Sequence, residues 1–184
     1  ACGVLEPFQT APTLEGQVKE LREVLESEDA VPCTLIWFSY GAILAYLCTA
    51  RYPDLARKLV LIGCAPFEEQ YALKIPETRL SRLSPEQRVK AAELERLLAD
   101  PATIDKHDVF CQFGKLMAEA DTLNPVHMED EMIHCQYDIF RQIWDEVRRL
   151  RQSGSLLSAG KAITCPVVAI HGDYDPHPVD GVRE

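Results

Sequence analysis

Apolar residues recur at helical spacing in the first part of the chain. Between residues 13 and 28, Thr13 can cap a helix whose apolar side carries residues three and four positions apart. These are Leu14, Val18, Leu21 and Leu25. The pattern predicts an amphipathic helix that packs against a core.

Three short apolar runs have a different pattern, which is typical of buried strands. They cover Cys33–Phe38, residues 58–63 and residues 165–170, and all are rich in strand-forming side chains. Between the first two, residues 42–50 are almost wholly apolar and predict a buried helix that Pro53 ends. Strand, helix and strand in this order predict a parallel sheet with a right-handed crossover.

From about residue 68 to 161 the pattern is helical throughout. Ser84, Pro85 and Gln87 form a typical helix start, with a cap, a proline in the first turn and a glutamine three residues after the cap. A second helix is predicted near residues 104–120, and a third from about residue 130 to 152. The third carries an apolar stripe with steps of three and four residues: Ile133, Tyr137, Phe140, Trp144 and Val147.

The change of pattern along the chain predicts three segments. Residues 1–67 and 162–184 form two parts of one core, and residues 68–161 form an all-helical cap inserted between them. The predicted fold class is therefore α/β, with a parallel sheet as its core and the cap between the second and third strands.

Composition and charge narrow the function classes. The chain has 184 residues, of which 47% are hydrophobic and 26% charged, values typical of a globular protein. Its net charge of −10 disfavours nucleic acid and anionic membrane surfaces as partners. The sequence contains no run of 18 apolar residues, so no membrane-spanning helix is predicted. The first ten residues do not resemble a signal peptide.

Seven cysteines occur at irregular spacing, without a Cys-x-x-Cys pair. An odd number with no regular spacing favours free thiols in a reducing compartment over a disulfide framework. We therefore expect a cytoplasmic protein.

The first apolar run ends in a serine that could be a nucleophile. The pentapeptide Trp37-Phe38-Ser39-Tyr40-Gly41 leads from a predicted strand into a predicted helix, which is the layout of a nucleophile elbow. Such a sharp turn exposes the serine Oγ and aims backbone N–H groups at a developing oxyanion. Trp37 replaces the first glycine of the usual Gly-x-Ser-x-Gly pattern. An ordinary turn serine that caps a helix is the alternative.

Together with this elbow, residues 35–42, 50–53, 57–63 and 165–175 resemble the α/β-hydrolase superfamily. The likeness is strongest to its cap-bearing members, such as the proline-iminopeptidase-like hydrolases. It covers the sheet-forming segments and implies a serine hydrolase that cleaves a small ester, amide or peptide bond through an acyl-enzyme. By the same resemblance, Ser39 is the nucleophile, the N–H of Tyr40 an oxyanion donor and Asp175 the triad acid. Asp173 is the runner-up for the acid, although a turn-forming aspartate is its favoured role.

The resemblance also implies parts that this chain lacks. The family's histidine follows the acid by some distance, on a later loop, and its second oxyanion donor lies on an early glycine-rich loop. We interpret His177, two residues after Asp175, as a surface loop histidine rather than a substitute. The chain is therefore expected to be truncated at both ends and inactive by itself. Its open sheet edges suggest homodimerisation.

The remaining expectations concern substrate, cofactor and metal. The aromatic residues Trp144, Tyr137 and Phe140 are candidates to line a substrate pocket, although cap core is the favoured role for most of them. No nucleotide-binding glycine motif is present, and no cofactor is expected. The alternating residues His171, Asp173, Asp175 and His177 could share one face of a strand. Two prolines interrupt that strand, so no metal site is expected there.

A second function from another class fits the same sequence. Trp37 beside the nucleophile turn and the missing histidine also suit a non-catalytic relic of the hydrolase fold. Such a chain would keep the core and the cap as a binding or interaction module.

Overall fold

A computed structural model describes residues 3–5, 7–124 and 136–183 of the chain. In this part of the chain, a three-stranded parallel sheet has the order β1-β2-β3. The strands are β1 (Cys33–Phe38), β2 (Ala56–Ile62) and β3 (Val167–Ile170). The helices are α1 (Leu14–Ser27), α2 (Tyr40–Arg51), α3 (Glu69–Ala72), α4 (Lys74–Arg82), α5 (Pro85–Ala99), α6 (Lys106–Asp121), α7 (Tyr137–Gln152) and α8 (Ser155–Ala159). The prediction of an α/β fold with a parallel sheet is confirmed.

Helix α2 covers one face of the sheet, and α1 packs against α2 and joins the main core. Leu35, Leu59 and Leu61 point from the strands into this core and are buried. Helix α2 is apolar on most sides because it packs against α1 and α8 as well as against β1 and β2. The hydroxyl of Tyr46 donates to the carbonyl of Leu156 at 3.0 Å, which satisfies the polar end of a buried ring.

The opposite face of the sheet is exposed along two rows of neighbouring side chains. Ile36 and Phe38 of β1 are 60% and 69% exposed. Val168 and Ile170 of β3, which lie in the same rows on the other side of β2, are exposed as well. The prediction of a buried strand is therefore wrong for β3, which is exposed along its whole length. The physical reason is that the helices in the described ranges cover neither face of this edge strand: Val168 and Ile170 lie on the open face, and Val167 on the core side is still 46% exposed.

The helical stretch between β2 and β3 contributes to two hydrophobic clusters. Helices α4 to α6 enclose a small cluster around Leu83, Ala91 and Leu116. Residues of α7 and α8 instead join the main core, including Ile143 and Leu156. The division into a core and a cap of residues 68–161 stays a prediction.

The helices predicted in this stretch are found with shifted boundaries. Helix α5 starts at the predicted Ser84 cap, and the side chain of Gln87 completes a capping box. Helix α7 starts at Tyr137, whereas the predicted start near residue 130 lies outside the described residues. Helices α3 and α4 were not predicted individually, because no apolar stripe marks them.

Thiol chemistry differs from the prediction at one position. Cys33, Cys48, Cys64 and Cys165 are free, whereas Cys111 is disulfide-bonded. The prediction of free thiols is therefore wrong for Cys111, because sequence spacing does not show which distant residues meet. A cytoplasmic location stays a prediction. Within the described part of the chain, none of the helices has the length and apolar character needed to cross a membrane.

Candidate active site

Ser39 occupies a sharp turn between β1 and α2. Its backbone has φ 53° and ψ −121°, a conformation that non-glycine residues rarely adopt and that costs roughly 1–3 kcal/mol. The N–H of Ser39 donates to the carbonyl of Ile62 at 2.9 Å, which ties the turn to the end of β2. The carbonyl of Ser39 accepts from the N–H of Ala42 at 3.1 Å and opens helix α2. This geometry is the one that the predicted nucleophile elbow requires.

The Trp37 ring fits beside the elbow because Gly41 has no side chain. A Cβ built on Gly41 would lie 2.5 Å from Cε3 of Trp37, which is closer than real Cβ contacts. The ring therefore occupies the space that a side chain at position 41 would take. A large residue in place of the usual glycine is thus compatible with the turn.

Tyr40 is the first residue of α2, so its N–H belongs to the helical turn that has no intrahelical acceptors. This position suits the role of an oxyanion donor that the resemblance implies. Its side chain points the other way, and its hydroxyl donates to Oε1 of Gln17 at 2.6 Å. Burial raises the pKa of the Tyr40 phenol, which keeps the hydroxyl protonated.

Asp175 lies in the turn that follows β3, at the same edge of the sheet as Ser39. Its Oδ2 would be 2.9 Å from a Cβ built on Gly63, the residue that directly follows β2. Gly63 in turn follows Ile62, whose carbonyl accepts from Ser39. The fold therefore brings the two predicted residues to one place, because the carboxyl ends of parallel strands meet at one edge.

His177 is bound to Asp175 rather than exposed on a surface loop. Its ring Nδ1 lies 2.7 Å from Oδ1 of Asp175, and its backbone N–H donates to the same oxygen at 2.9 Å. Its side chain is only 10% exposed. The interpretation of His177 as a surface residue therefore needs correction. The signal was the Asp-x-His spacing, which lets an aspartate accept from the backbone two residues later.

Burial lowers the pKa of His177, although Asp175 acts in the opposite direction. The other charged groups near this ring are Arg79 and Asp121, which lie on α4 and α6 and form an ion pair with an N–O distance of 2.6 Å. A lowered pKa keeps the ring neutral at pH 7, so one ring nitrogen carries a proton and the other is an acceptor.

His171 packs against the same turn through its ring. Its Nδ1 lies 3.2 Å from the carbonyl oxygen of His177 and 3.6 Å from Oδ2 of Asp175. Its side chain is 4% exposed, and Nε2 has no hydrogen-bond partner among the described residues. His171 therefore supports the turn that carries Asp175. The sequence pattern suggests His171 only as a candidate metal ligand.

Helix α4 contacts the loop that carries the acid. The Arg82 guanidinium lies 3.8 Å from the centroid of the Tyr174 ring, a short cation–π contact. The same side chain donates to the carbonyl of Ala120 at the end of α6. Helices α4 and α6 are thus linked to the loop that carries Asp175.

The three predicted pocket residues are part of a chain of aromatic rings that starts at the elbow. Trp144 lies 5.9 Å from the Tyr40 ring and 6.0 Å from Phe140, measured between centroids. Phe110 connects Phe140 with Tyr137, which is farthest from Ser39 along this chain. Of the three predicted residues, Trp144 therefore packs next to the turn that carries Ser39. A substrate-binding role for all three stays a prediction.

A cavity of about 620 Å³ lies elsewhere, between α1, α2, α7 and α8. Its apolar lining includes Leu14, Leu47 and Leu150, and neither Ser39 nor Asp175 lines it. Over the residues that the structure describes, no group of three or more histidine, cysteine or acidic side chains is arranged to hold a metal ion.

Replacing Ser39 with glycine should stabilise the fold. Glycine adopts positive φ without steric cost, so Ser39→Gly is expected to raise the free energy of unfolding by about 1–2 kcal/mol. Ser39→Ala keeps the strained backbone and should change stability by less than about 0.5 kcal/mol. Urea denaturation of both variants measures the difference. Equal stability of the two would show that the turn is not strained.

No family model and no curated protein matches the sequence. Similar solved structures are found. One is a Mycobacterium tuberculosis protein, with 21% identity over 95% of this chain and 58% of that chain, at a TM-score of 0.46. Another is from a study of carboxylesterases of Nitrososphaera gargenis, with 20% identity, coverage of 88% and 54%, and a TM-score of 0.42. A haloalkane dehalogenase variant from Bradyrhizobium elkanii has 14% identity, coverage of 93% and 60%, and a TM-score of 0.47.

The chain spans less than two thirds of the length of each of these structures. Their TM-scores lie below 0.5, so none of these likenesses assigns a function to this chain.

Proposed function

We propose that this chain carries the nucleophile and the acid of a serine hydrolase that acts on a small ester, amide or peptide bond. The observation that supports this most strongly is the strained backbone of Ser39 at the sheet edge where Asp175 also lies. Backbone strain in a polar residue at a strand-to-helix turn is typical of functional sites. An ordinary helix-capping serine needs no such strain, and Ser39 makes no side-chain capping bond.

The proposed reaction proceeds in two steps. Ser39 Oγ attacks the substrate carbonyl carbon while a histidine base takes its proton, and the N–H of Tyr40 stabilises the oxyanion. The histidine returns the proton to the leaving group, and water then hydrolyses the acyl-enzyme in the same way. Asp175 orients the histidine. In this proposal the histidine comes from outside the chain, as the resemblance implies.

The surroundings of the site complete this proposal. Residues 68–161 act as the cap, Trp144 provides an apolar wall beside Tyr40, and Phe140 and Tyr137 extend it. A cytoplasmic location and dimerisation through the edge strands β1 and β3 are parts of the same proposal. The substrate is a small molecule or short peptide that fits under such a cap.

Intact-mass detection of a fluorophosphonate adduct tests the proposal. Because a base is proposed to be missing, the chain is incubated with the reagent and increasing concentrations of imidazole. We expect one adduct in the wild type that is absent from Ser39→Ala and retained in the control Ser27→Ala, whose hydroxyl lies on the exposed end of α1. Absence of a Ser39-dependent adduct from a folded chain, even with imidazole, would refute the proposal.

A non-catalytic binding module is the second candidate, and one observation favours it. Within the described ranges, the Ser39 hydroxyl has no hydrogen bond to any side chain that could act as its base. This candidate predicts that no form of the protein reacts with the reagent and that Ser39→Ala leaves ligand or partner binding unchanged.

A further inference from the structure

We infer that His177 is a positioning residue that occupies one oxygen of Asp175 and leaves the other free to orient the catalytic base. The inference rests on the proposed function, since it assigns a task to a residue next to the proposed acid. In this inference His177 is not itself the catalytic base.

The two oxygens of Asp175 have different surroundings. Oδ1 accepts two bonds from His177, one from the backbone N–H at 2.9 Å and one from ring Nδ1 at 2.7 Å. Oδ2 lies on the side of Gly63, the residue that follows β2, and its nearest ring nitrogen belongs to His171 at 3.6 Å. That separation is too long for a hydrogen bond. Oδ2 is therefore the oxygen that can accept from a further donor at the Ser39 edge.

The contact between His177 and Asp175 fixes the protonation of the ring. A carboxylate oxygen only accepts, so Nδ1 of His177 must carry the proton, and Nε2 is the acceptor nitrogen. The lowered pKa of His177 is consistent with a neutral ring in this form. Asp175, Arg79 and Asp121 are the charged groups that face it, and Arg79 and Asp121 already pair with each other.

One further contact holds His177 in place and another holds the residue before Asp175, so the ring can act as a fixed support. Its carbonyl oxygen lies 3.2 Å from Nδ1 of the buried His171. The preceding Tyr174 is stacked under Arg82 of α4. Without the His177 ring, Oδ1 would keep only a backbone donor, and the carboxylate could turn about its Cβ–Cγ bond. Oδ2 would then no longer be held in one direction.

Nuclear magnetic resonance of the histidine rings tests the contact without any catalysis. Long-range ¹H–¹⁵N spectra at pH 7 should show His177 as the neutral Nδ1–H tautomer in the wild type, and this signature should change in Asp175→Asn. A His177 ring that is protonated on Nε2 alone, or charged at pH 7, would overturn the inference.

Imidazole-dependent labelling of Ser39 tests the positioning role. His177→Asn keeps an N–H at the place of ring Nδ1, whereas His177→Gln and His177→Ala do not. We expect half-maximal labelling at about tenfold higher imidazole in His177→Ala and His177→Gln, and within about twofold of wild type in His177→Asn. The maximal rate at saturating imidazole should change little in all three, because the added base then fills its site.

The other outcomes are distinguishable. Equal imidazole dependence in all variants overturns the positioning role while Ser39 remains the nucleophile. Labelling of the wild type without imidazole, lost in His177→Asn, would make His177 itself the base and also overturn the inference. No Ser39-dependent adduct under any condition removes the proposed function and the inference together. The ring tautomer would then report only a structural contact.

Discussion

Gly63→Ala is expected to lower the free energy of unfolding by about 2–4 kcal/mol, from a strained backbone and a crowded site together. Gly63 has φ +50°, the left-handed region where a Cβ costs roughly 1–2 kcal/mol. The added methyl would also lie 2.9 Å from the Phe38 ring and 2.9 Å from Oδ2 of Asp175. Since Phe38 directly precedes Ser39 and Asp175 is the proposed acid, the substitution should disturb the candidate site as well as the fold.

Gly114→Ala is the matched control for this substitution. Gly114 lies in the middle of α6, is exposed, and nothing lies within 4 Å of its added Cβ. Alanine should therefore stabilise the helix there by about 0.5–1 kcal/mol. Urea denaturation of both variants gives the comparison. A Gly63→Ala variant within about 0.5 kcal/mol of wild type would show that the turn after β2 can relax.

The elements around the elbow were predictable because local patterns determine them. The apolar run before Ser39, the apolar helix after it and the next apolar run each match their observed strand or helix to within about two residues. A buried strand followed by a buried helix leaves little choice of topology, since the crossover must be right-handed. The common edge of Ser39 and Asp175 follows from the same parallel order.

What the sequence did not predict depends on contacts between distant segments. The pattern of β3 is that of a buried strand, yet its side chains are exposed because burial depends on whether another element covers them. The disulfide at Cys111 likewise does not follow from the spacing of the cysteines along the sequence. His177 was misjudged for a local reason, because two flanking prolines suggested an exposed loop rather than a turn folded onto Asp175.

Gly41→Ala is expected to destabilise the fold by about 1–3 kcal/mol through overpacking against Trp37. The new Cβ would lie 2.5 Å from Cε3 and 3.3 Å from Cζ3 of the ring. Replacing a helical glycine with alanine would by itself stabilise the variant by up to about 1 kcal/mol. A net loss of stability can therefore come only from the contact with the Trp37 ring. The ring would have to leave its place over the first turn of α2, next to Ser39.

A double-mutant cycle with Trp37→Leu isolates that contact. If the ring occupies the space of the missing side chain, Gly41→Ala should be neutral or stabilising in the Trp37→Leu background, with a coupling energy of about 1–3 kcal/mol. The rate of fluorophosphonate labelling should rank the four proteins in the same order as their stability, since a displaced ring disturbs the Ser39 turn. Additive effects of the two substitutions would show that the glycine at position 41 is needed by the turn itself. In that case Trp37 would be a neighbour that the elbow tolerates, and the usual pattern of two glycines would reflect two separate requirements.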